Sequence, residues 1–146
     1  MRFVGEWFVC TDGVVRPTLP GYAADVVGTE HEERFLVDSG ADATVFTAAF
    51  VQRLGLPFRL PQGGAGLAGV GGGQASVLVR TALSLYGHDG SPARIQGEFA
   101  AFTDPAAADM SILGRDVLDH FDVIISRRNN EVLLLTTNHR YQVQSP

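Results

Sequence analysis

The sequence predicts a small all-β domain, and three features of its 146 residues support that prediction. Hydrophobic residues make up 45% of the chain, as in an ordinary globular protein. The apolar runs are short, and most of them end near one of the 17 glycines or 7 prolines. Such punctuation is typical of strands joined by turns. The length fits one domain, which we expect to span residues 1–146.

The pattern of apolar residues places the elements along the chain. A helix of two turns is predicted between Thr47, a suitable N-cap, and Gly55, a suitable C-terminal stop. One or two further helical turns are predicted directly after Gly114. Strands are predicted at residues 35–37, 75–86, 94–102 and 112–113, followed by a closing hairpin with strands at 123–125 and 132–135.

Composition and charge exclude several classes of protein. The net charge of −5 argues against a nucleic-acid partner, which needs a basic surface. No stretch approaches the roughly 20 apolar residues that span a bilayer, and the N-terminus lacks a signal-peptide core. We therefore expect a cytoplasmic protein with no membrane partner. The single cysteine, Cys10, excludes an internal disulfide, and the 4 histidines are too scattered to predict a metal site or any other cofactor.

The strongest candidate for chemistry is the acid at the end of the first predicted strand. In FLVDSGADATVF, an apolar run delivers Asp38, Ser39 and Gly40 to a tight turn. By itself this tripeptide is also a common structural β-turn. About seventy residues later, SILGRDVLDHF again carries an apolar strand into a glycine, followed by Arg115 at the start of a short helix.

Between these two motifs lies a glycine-rich segment, with seven glycines among the eleven residues 63–73. Residues 64–69 match the G-x-G-x-x-G pattern of dinucleotide-binding proteins on paper. That motif requires a strand before it and a helix after it, whereas here RLPQ precedes and the strand-like SVLVR follows. We therefore interpret the segment as a loop or hairpin tip and expect no nucleotide.

The three features in this order resemble the retropepsin-like aspartic proteases, the single-lobe relatives of pepsin. The resemblance covers about residues 16–135, and its longer spacing and closing hairpin are closer to non-viral members than to retroviral ones. It implies an all-β, single-lobe fold with one or two short helices. It further implies that Asp38 is the catalytic carboxylate, that Ser39 braces two active-site loops, and that Gly40 lets the backbone pass close by.

The same resemblance assigns supporting and substrate-binding residues. Asp42 and Arg115 match a pair that would hold the active-site loop, and we expect this pair to be partly buried. The implied supports of that loop are Ala41, Asp42, Thr44, Gly114 and Arg115. The implied flap tip consists of Gly69, Val70, Gly71 and Gly72. The implied walls of the substrate subsites are Val45, Val70, Met110 and Ile112.

The expected activity is that of an aspartic endopeptidase acting on extended peptides with apolar side chains around the cleaved bond. Metal-free peptide hydrolysis needs one group to accept a proton from water and another to protonate the amide. Two adjacent carboxylates that share one proton can do both. The chain holds one Asp-Ser-Gly motif, so the resemblance implies a homodimer in which each protomer contributes Asp38.

Three points stay open at the level of sequence. A peptide-binding or dimerisation module with the same fold, but without catalysis, is the alternative to an enzyme. Residues 2–8 and 141–144 are candidates for a dimer sheet, as in retroviral enzymes. Ala41 lacks the hydroxyl that pepsin-like relatives often carry next to the catalytic glycine, and we therefore expect activity at mildly acidic to neutral pH.

Overall fold

The chain folds into strands with two short helices, which confirms the predicted all-β class. The computed structural model describes residues 1–62, 67–69 and 72–136. The largest sheet contains β2 (Glu6–Val9), β3 (Val15–Ala24), β4 (Glu30–Val37), β5 (Val45–Phe46), β6 (Phe58–Arg59), β9 (Ser76–Tyr86), β10 (Pro92–Phe102) and β11 (Ser111–Leu113). A smaller sheet contains β1 (Arg2–Val4), β12 (Asp122–Ser126) and β13 (Glu131–Leu135), and a two-stranded hairpin contains β7 (Leu67–Gly69) and β8 (Gly72–Gln74).

The largest sheet curls onto itself. Its strand order is β2-β3-β4-β11-β5-β10-β9-β6, and β3 also pairs with β9, which lies far along that order. The additional pairing brings Tyr22 opposite Ser84 and Ala23 opposite Leu83. A barrel-like sheet results, and its interior is the main hydrophobic core.

Helix α1 (Ala48–Leu54) begins and ends where the sequence predicts. The Thr47 hydroxyl accepts a hydrogen bond from the Phe50 N–H at 3.2 Å, which satisfies an otherwise unpaired donor of the first turn. At the other end Gly55 adopts the left-handed conformation, with φ of 61°. Phe50 and Leu54 are buried, so the predicted apolar face points into the core.

Aromatic side chains fill the centre of that core. Phe46 packs edge-on against Phe50 with ring centroids 5.2 Å apart and stacks on Phe99 at 5.3 Å. Phe35 contacts both Phe46 and Phe50 edge-on. These rings join β4, β5, β10 and α1, the elements that flank the Asp38 turn, into one packed unit.

Two features of the sheets differ from the prediction. The strand expected at residues 35–37 is β4, which has 8 residues because its charged first half pairs with β3. The 10-residue β3 itself is not predicted, since Pro17 and Pro20 interrupt its sequence and proline cannot donate to a sheet ladder.

The closing hairpin is confirmed, and the N-terminus joins it. β12 and β13 pair antiparallel from Asp122↔Leu135 to Ser126↔Glu131. β1 pairs with the other edge of β13, and β2 pairs with β3, so residues 2–8 form sheet contacts within their own chain. Residues 141–144 lie outside the described residues. In the part of the chain that the structure describes, no helix is long and apolar enough to cross a membrane.

Candidate active site

The Asp38 turn lies where three strands meet. β11 runs between β4 and β5, parallel to β4 and antiparallel to β5. The loop of residues 38–44 leaves β4 on one side of β11 and enters β5 on the other side. The Asp38 N–H donates to the Leu113 carbonyl at 3.1 Å, so the end of β4 is fixed to the end of β11. The two motifs found in the sequence therefore lie side by side.

The turn itself holds the carboxylate in a defined orientation. Asp38 Oδ1 accepts a hydrogen bond from the Gly40 N–H at 2.9 Å, and the Asp38 carbonyl accepts one from the Ala41 N–H at 3.2 Å. Asp38 is half-buried, whereas Ser39 and Gly40 are exposed. Within the described residues, Asp38 Oδ2 and the Ser39 hydroxyl make no hydrogen bond. The carboxyl group is thus oriented by one oxygen and has the other available.

Gly114 is required by close backbone contact. A Cβ atom built on Gly114 would lie 2.4 Å from the carbonyl carbon of Ala43, inside van der Waals contact. This approach lets the Arg115 N–H donate to the Ala41 carbonyl at 2.8 Å and the Asp116 N–H donate to the Asp42 carbonyl at 3.2 Å. Helix α2 (Arg115–Leu118) begins directly against the Asp38 loop for this reason.

A buried hydroxyl ties the two loops together. Thr44 is fully buried, and its hydroxyl donates to Asp116 Oδ1 at 2.7 Å while accepting from the Gly114 N–H at 3.0 Å. Asp116 Oδ1 also accepts from the backbone N–H groups of Thr44 and Val117, both at 2.9 Å. Thr44 therefore makes the loop contacts expected of it, and Asp116 is a supporting residue that the sequence analysis missed.

A second buried polar cluster fixes the outer end of the same strands. Glu33 Oε2 accepts hydrogen bonds from the Ser111 hydroxyl at 3.1 Å and the Thr47 hydroxyl at 3.3 Å. The Ser111 oxygen in turn accepts from the Thr47 N–H at 3.0 Å. This cluster joins β4, β11 and the start of α1, and its residue types carry no signal in sequence because they are distant from one another along the chain.

Asp42 and Arg115 form the expected ion pair, but the expected burial is absent. The guanidinium contacts Asp42 Oδ1 across the two loops. The Asp42 side chain is 84% exposed and that of Arg115 is 52% exposed in the single chain. The prediction of partial burial is therefore wrong for the chain alone, because both side chains extend from loop ends into solvent. An exposed pair of this kind contributes about 0–1 kcal/mol.

The glycine-rich segment contains a hairpin. β7 and β8 pair antiparallel, with Gly69 opposite Gly72. Val70 and Gly71, which the resemblance places at the tip, lie outside the described residues. The pairing of Gly69 with Gly72 confines the connection to two residues, a length typical of a tight β-hairpin.

The structure brings together two of the predicted subsite residues. Val45 is buried, Ile112 is half-buried, and they lie opposite each other in neighbouring strands. They belong to a small apolar cluster, separate from the main core, that also contains Leu78, Ala100, Phe102, Ala107 and Ala108. Met110 is half-buried and directly precedes β11. The alanines of the loop before β11 are residues that the sequence analysis did not nominate.

A cavity of about 500 Å³ lies elsewhere, between α1 and the ends of β9 and β10. Its lining includes none of the predicted site residues and consists of Ala48, Val51, Gln52, Gly55, Leu56, Phe58, Val77, Phe102, Thr103 and Pro105. Among the described residues, no group of three or more histidine, cysteine, aspartate or glutamate side chains is placed to hold a metal ion. The chemistry available at the Asp38 turn is that of a carboxyl group.

Comparison with solved structures identifies the class of fold. The chain is similar to EIAV protease complexed with the inhibitor HBY-793, with 26% identity and a TM-score of 0.51, over 71% of this chain and 86% of that one. It is also similar to a retropepsin-like aspartic protease from Rickettsia conorii, with 16% identity and a TM-score of 0.55, over 92% of this chain and 88% of that one. The chain therefore has the retropepsin-like aspartic protease fold, as the sequence motifs predict.

Comparisons at the level of sequence add nothing to this assignment. No protein-family model matches the chain, and no curated protein matches it. The described geometry and the similarity to these solved structures are therefore the basis for a proposal about function.

Proposed function

We propose that the protein is an aspartic endopeptidase in which Asp38 is the catalytic carboxylate. The observation that carries this proposal is the Asp38 turn itself. One carboxylate oxygen is oriented by the Gly40 N–H, the other has no hydrogen bond within the described residues, and the turn is held from behind by Gly114 and Thr44. A carboxyl group that is both oriented and accessible is suited to proton transfer.

The reaction requires a second carboxyl group. In the proposed homodimer, the two Asp38 side chains meet on a two-fold axis and share one proton, because two like charges a few ångströms apart cannot both ionise. The ionised carboxylate accepts a proton from water as the water oxygen attacks the peptide carbonyl carbon. The protonated carboxyl then donates to the amide nitrogen as the C–N bond breaks. Ser39, exposed in the single chain, would brace one turn against its partner.

The remaining predicted residues would form the substrate cleft. The hairpin of β7 and β8, with Gly69, Val70, Gly71 and Gly72 at its end, would act as a flap over the bound peptide. The apolar cluster around Val45 and Ile112, with Met110 beside it, would contact apolar side chains of an extended substrate. Small alanines in this cluster leave room for large substrate side chains.

The decisive experiment compares the wild type with Asp38→Asn on a peptide library, between pH 3 and pH 8 and at several protein concentrations. Asp12→Asn is a matched control, because Asp12 is an exposed carboxylate in a surface turn. We expect cleavage beside apolar residues by the wild type and the control, and none by Asp38→Asn. The rate should rise faster than linearly with protein concentration, because two chains form one site. Equal behaviour of wild type and Asp38→Asn would refute the proposal and favour the non-catalytic binding module.

A further inference from the structure

The three-stranded sheet of β1, β13 and β12 has an unusual outer face. Its inner face is fully in the core, with Phe3, Val132 and Leu134 at most 1% exposed. On the opposite face Val4, Leu133 and Ile124 lie side by side in register across the three strands. Val4 is 46% exposed, and the other two are half-buried. A solvated face of an antiparallel sheet is usually polar, so this apolar row indicates a surface that another molecule covers.

The outer edge of β12 also has unpaired main-chain groups. The Gly5 N–H donates to the Val132 carbonyl at 2.8 Å, so the main-chain groups of Val132 point towards β1 and away from β12. Ile125, which lies opposite Val132, must then direct its own N–H and carbonyl away from β13, and Val123 does the same by the two-residue period. No described strand pairs with this edge. Unpaired edges of this kind are templates for another strand.

The charges at the two ends of β12 indicate which strand fits. Asp119 and Asp122 lie at its beginning, and Arg127 and Arg128 follow its end. An antiparallel copy of the same segment would set the acidic end of one chain beside the basic end of the other, at both ends of the pair. The register that joins Val123 to the partner's Ile125, and the reverse, uses all four outward main-chain pairs. It also sets Ile124 against its own copy on the two-fold axis.

The position of β12 relative to the Asp38 turn is compatible with a shared site. Helix α2 begins against that turn, and its four residues rise about 6 Å. The three residues between α2 and β12 span at most about 10 Å. The edge of β12 therefore begins within about 16 Å of the Asp38 loop. A two-fold axis at this edge passes close to the loop that needs a partner.

We infer that the outer edge of β12 is the surface through which two copies of this chain pair, as a continuous sheet of six strands. This inference rests on the proposed function, because the Asp38 site is incomplete without the second copy. It assigns the pairing to residues 122–126 rather than to the chain termini.

Charge reversal with complementation tests the inference. Asp122→Arg and Arg128→Glu each place like charges at both ends of the pair, so each alone should raise the dimer dissociation constant about tenfold or more. Mixing the two variants places opposite charges at both ends again, and a heterodimer should form with nearly wild-type affinity. Arg80→Glu, a reversal of an exposed charge on β9, is the control and should change nothing. Sedimentation equilibrium measures each dissociation constant, and circular dichroism verifies that each variant is folded.

A second variant tests the main-chain edge directly. Ile125→Pro removes an N–H that the chain does not use internally, and proline is tolerated on edge strands. We expect a folded monomer with a dissociation constant at least about tenfold higher. A wild-type monomer at all concentrations, or dimers unaffected by both kinds of variant, would overturn the inference. Loss of dimers only when residues 137–146 are removed would also overturn it and assign the interface to that segment.

The two proposals fail separately. Sedimentation reports pairing through β12 whether or not the protein cleaves peptides, so a dimer that depends on β12 but has no Asp38-dependent activity refutes only the proposed function. Asp38-dependent cleavage with unaltered dimers in the charge-reversal variants refutes only the inference about β12.

Discussion

Replacing Thr44 with valine tests how the Asp38 loop is held. Valine keeps the shape of threonine but removes the hydroxyl, which bonds both Asp116 Oδ1 and the Gly114 N–H in a fully buried position. The lost bond to a charged acceptor contributes about 1.5–3 kcal/mol, and the buried Gly114 N–H left without a partner costs about 1–3 kcal/mol. Allowing for the added methyl contact, we expect the free energy of unfolding to fall by about 3 kcal/mol.

Urea denaturation at neutral pH measures this loss, with Thr29→Val as the control. Thr29 is exposed and its hydroxyl bonds nothing in the described residues, so the control should change stability by less than about 0.5 kcal/mol. Asp116→Ala and the double variant complete a cycle whose coupling energy should be about 1–2 kcal/mol. A loss below about 1 kcal/mol for Thr44→Val, or strict additivity in the cycle, would refute the described network.

Three further predictions follow from single contacts. Gly114→Ala should lower stability by about 2 kcal/mol or more and abolish any Asp38-dependent cleavage, because its Cβ meets the Ala43 backbone; unchanged urea midpoints would contradict this. Gly55→Ala should cost about 1 kcal/mol in thermal unfolding, because its φ is 61°, and a neutral result would argue against the left-handed cap. The hydrogen bond from Tyr86 lowers the pKa of Glu30 from its usual 4.5, so its contribution to stability should be complete above about pH 4.5 and decline as the pH falls below that value. Glu30→Gln should lose that part of the acid dependence in urea midpoints measured at pH 7 and pH 3.5.

The sequence predicted the local elements where local chemistry decides them. Thr47 and Gly55 define α1 because a side-chain cap and a left-handed glycine act on the residues next to them. The closing hairpin follows from alternation around one turn. β3 was missed because its two prolines oppose strand formation locally, whereas pairing with β4 on one side and with β2 and β9 on the other overrides that local preference.

The sequence also identified the residues of the candidate site, through motif order and resemblance rather than through contacts. It placed Asp38 at a strand end and Gly114 at another, and the structure sets these ends side by side. The partner of Thr44 was not predictable, because Asp116 lies 72 residues away and an aspartate after an arginine carries no local signal. The exposure of the Asp42 and Arg115 pair likewise depends on how far two distant loops extend into solvent.

The sequence by itself therefore determined the class of the fold, the helix boundaries and the acid at the strand end, since each depends on neighbouring residues or on a fixed motif order. Only the tertiary structure decided that β11 inserts between β4 and β5, that Thr44 and Asp116 join the two loops, and that β12 presents an unpaired edge. Those outcomes depend on pairings between residues far apart in the chain, and such pairings are selected by the packing of the whole core.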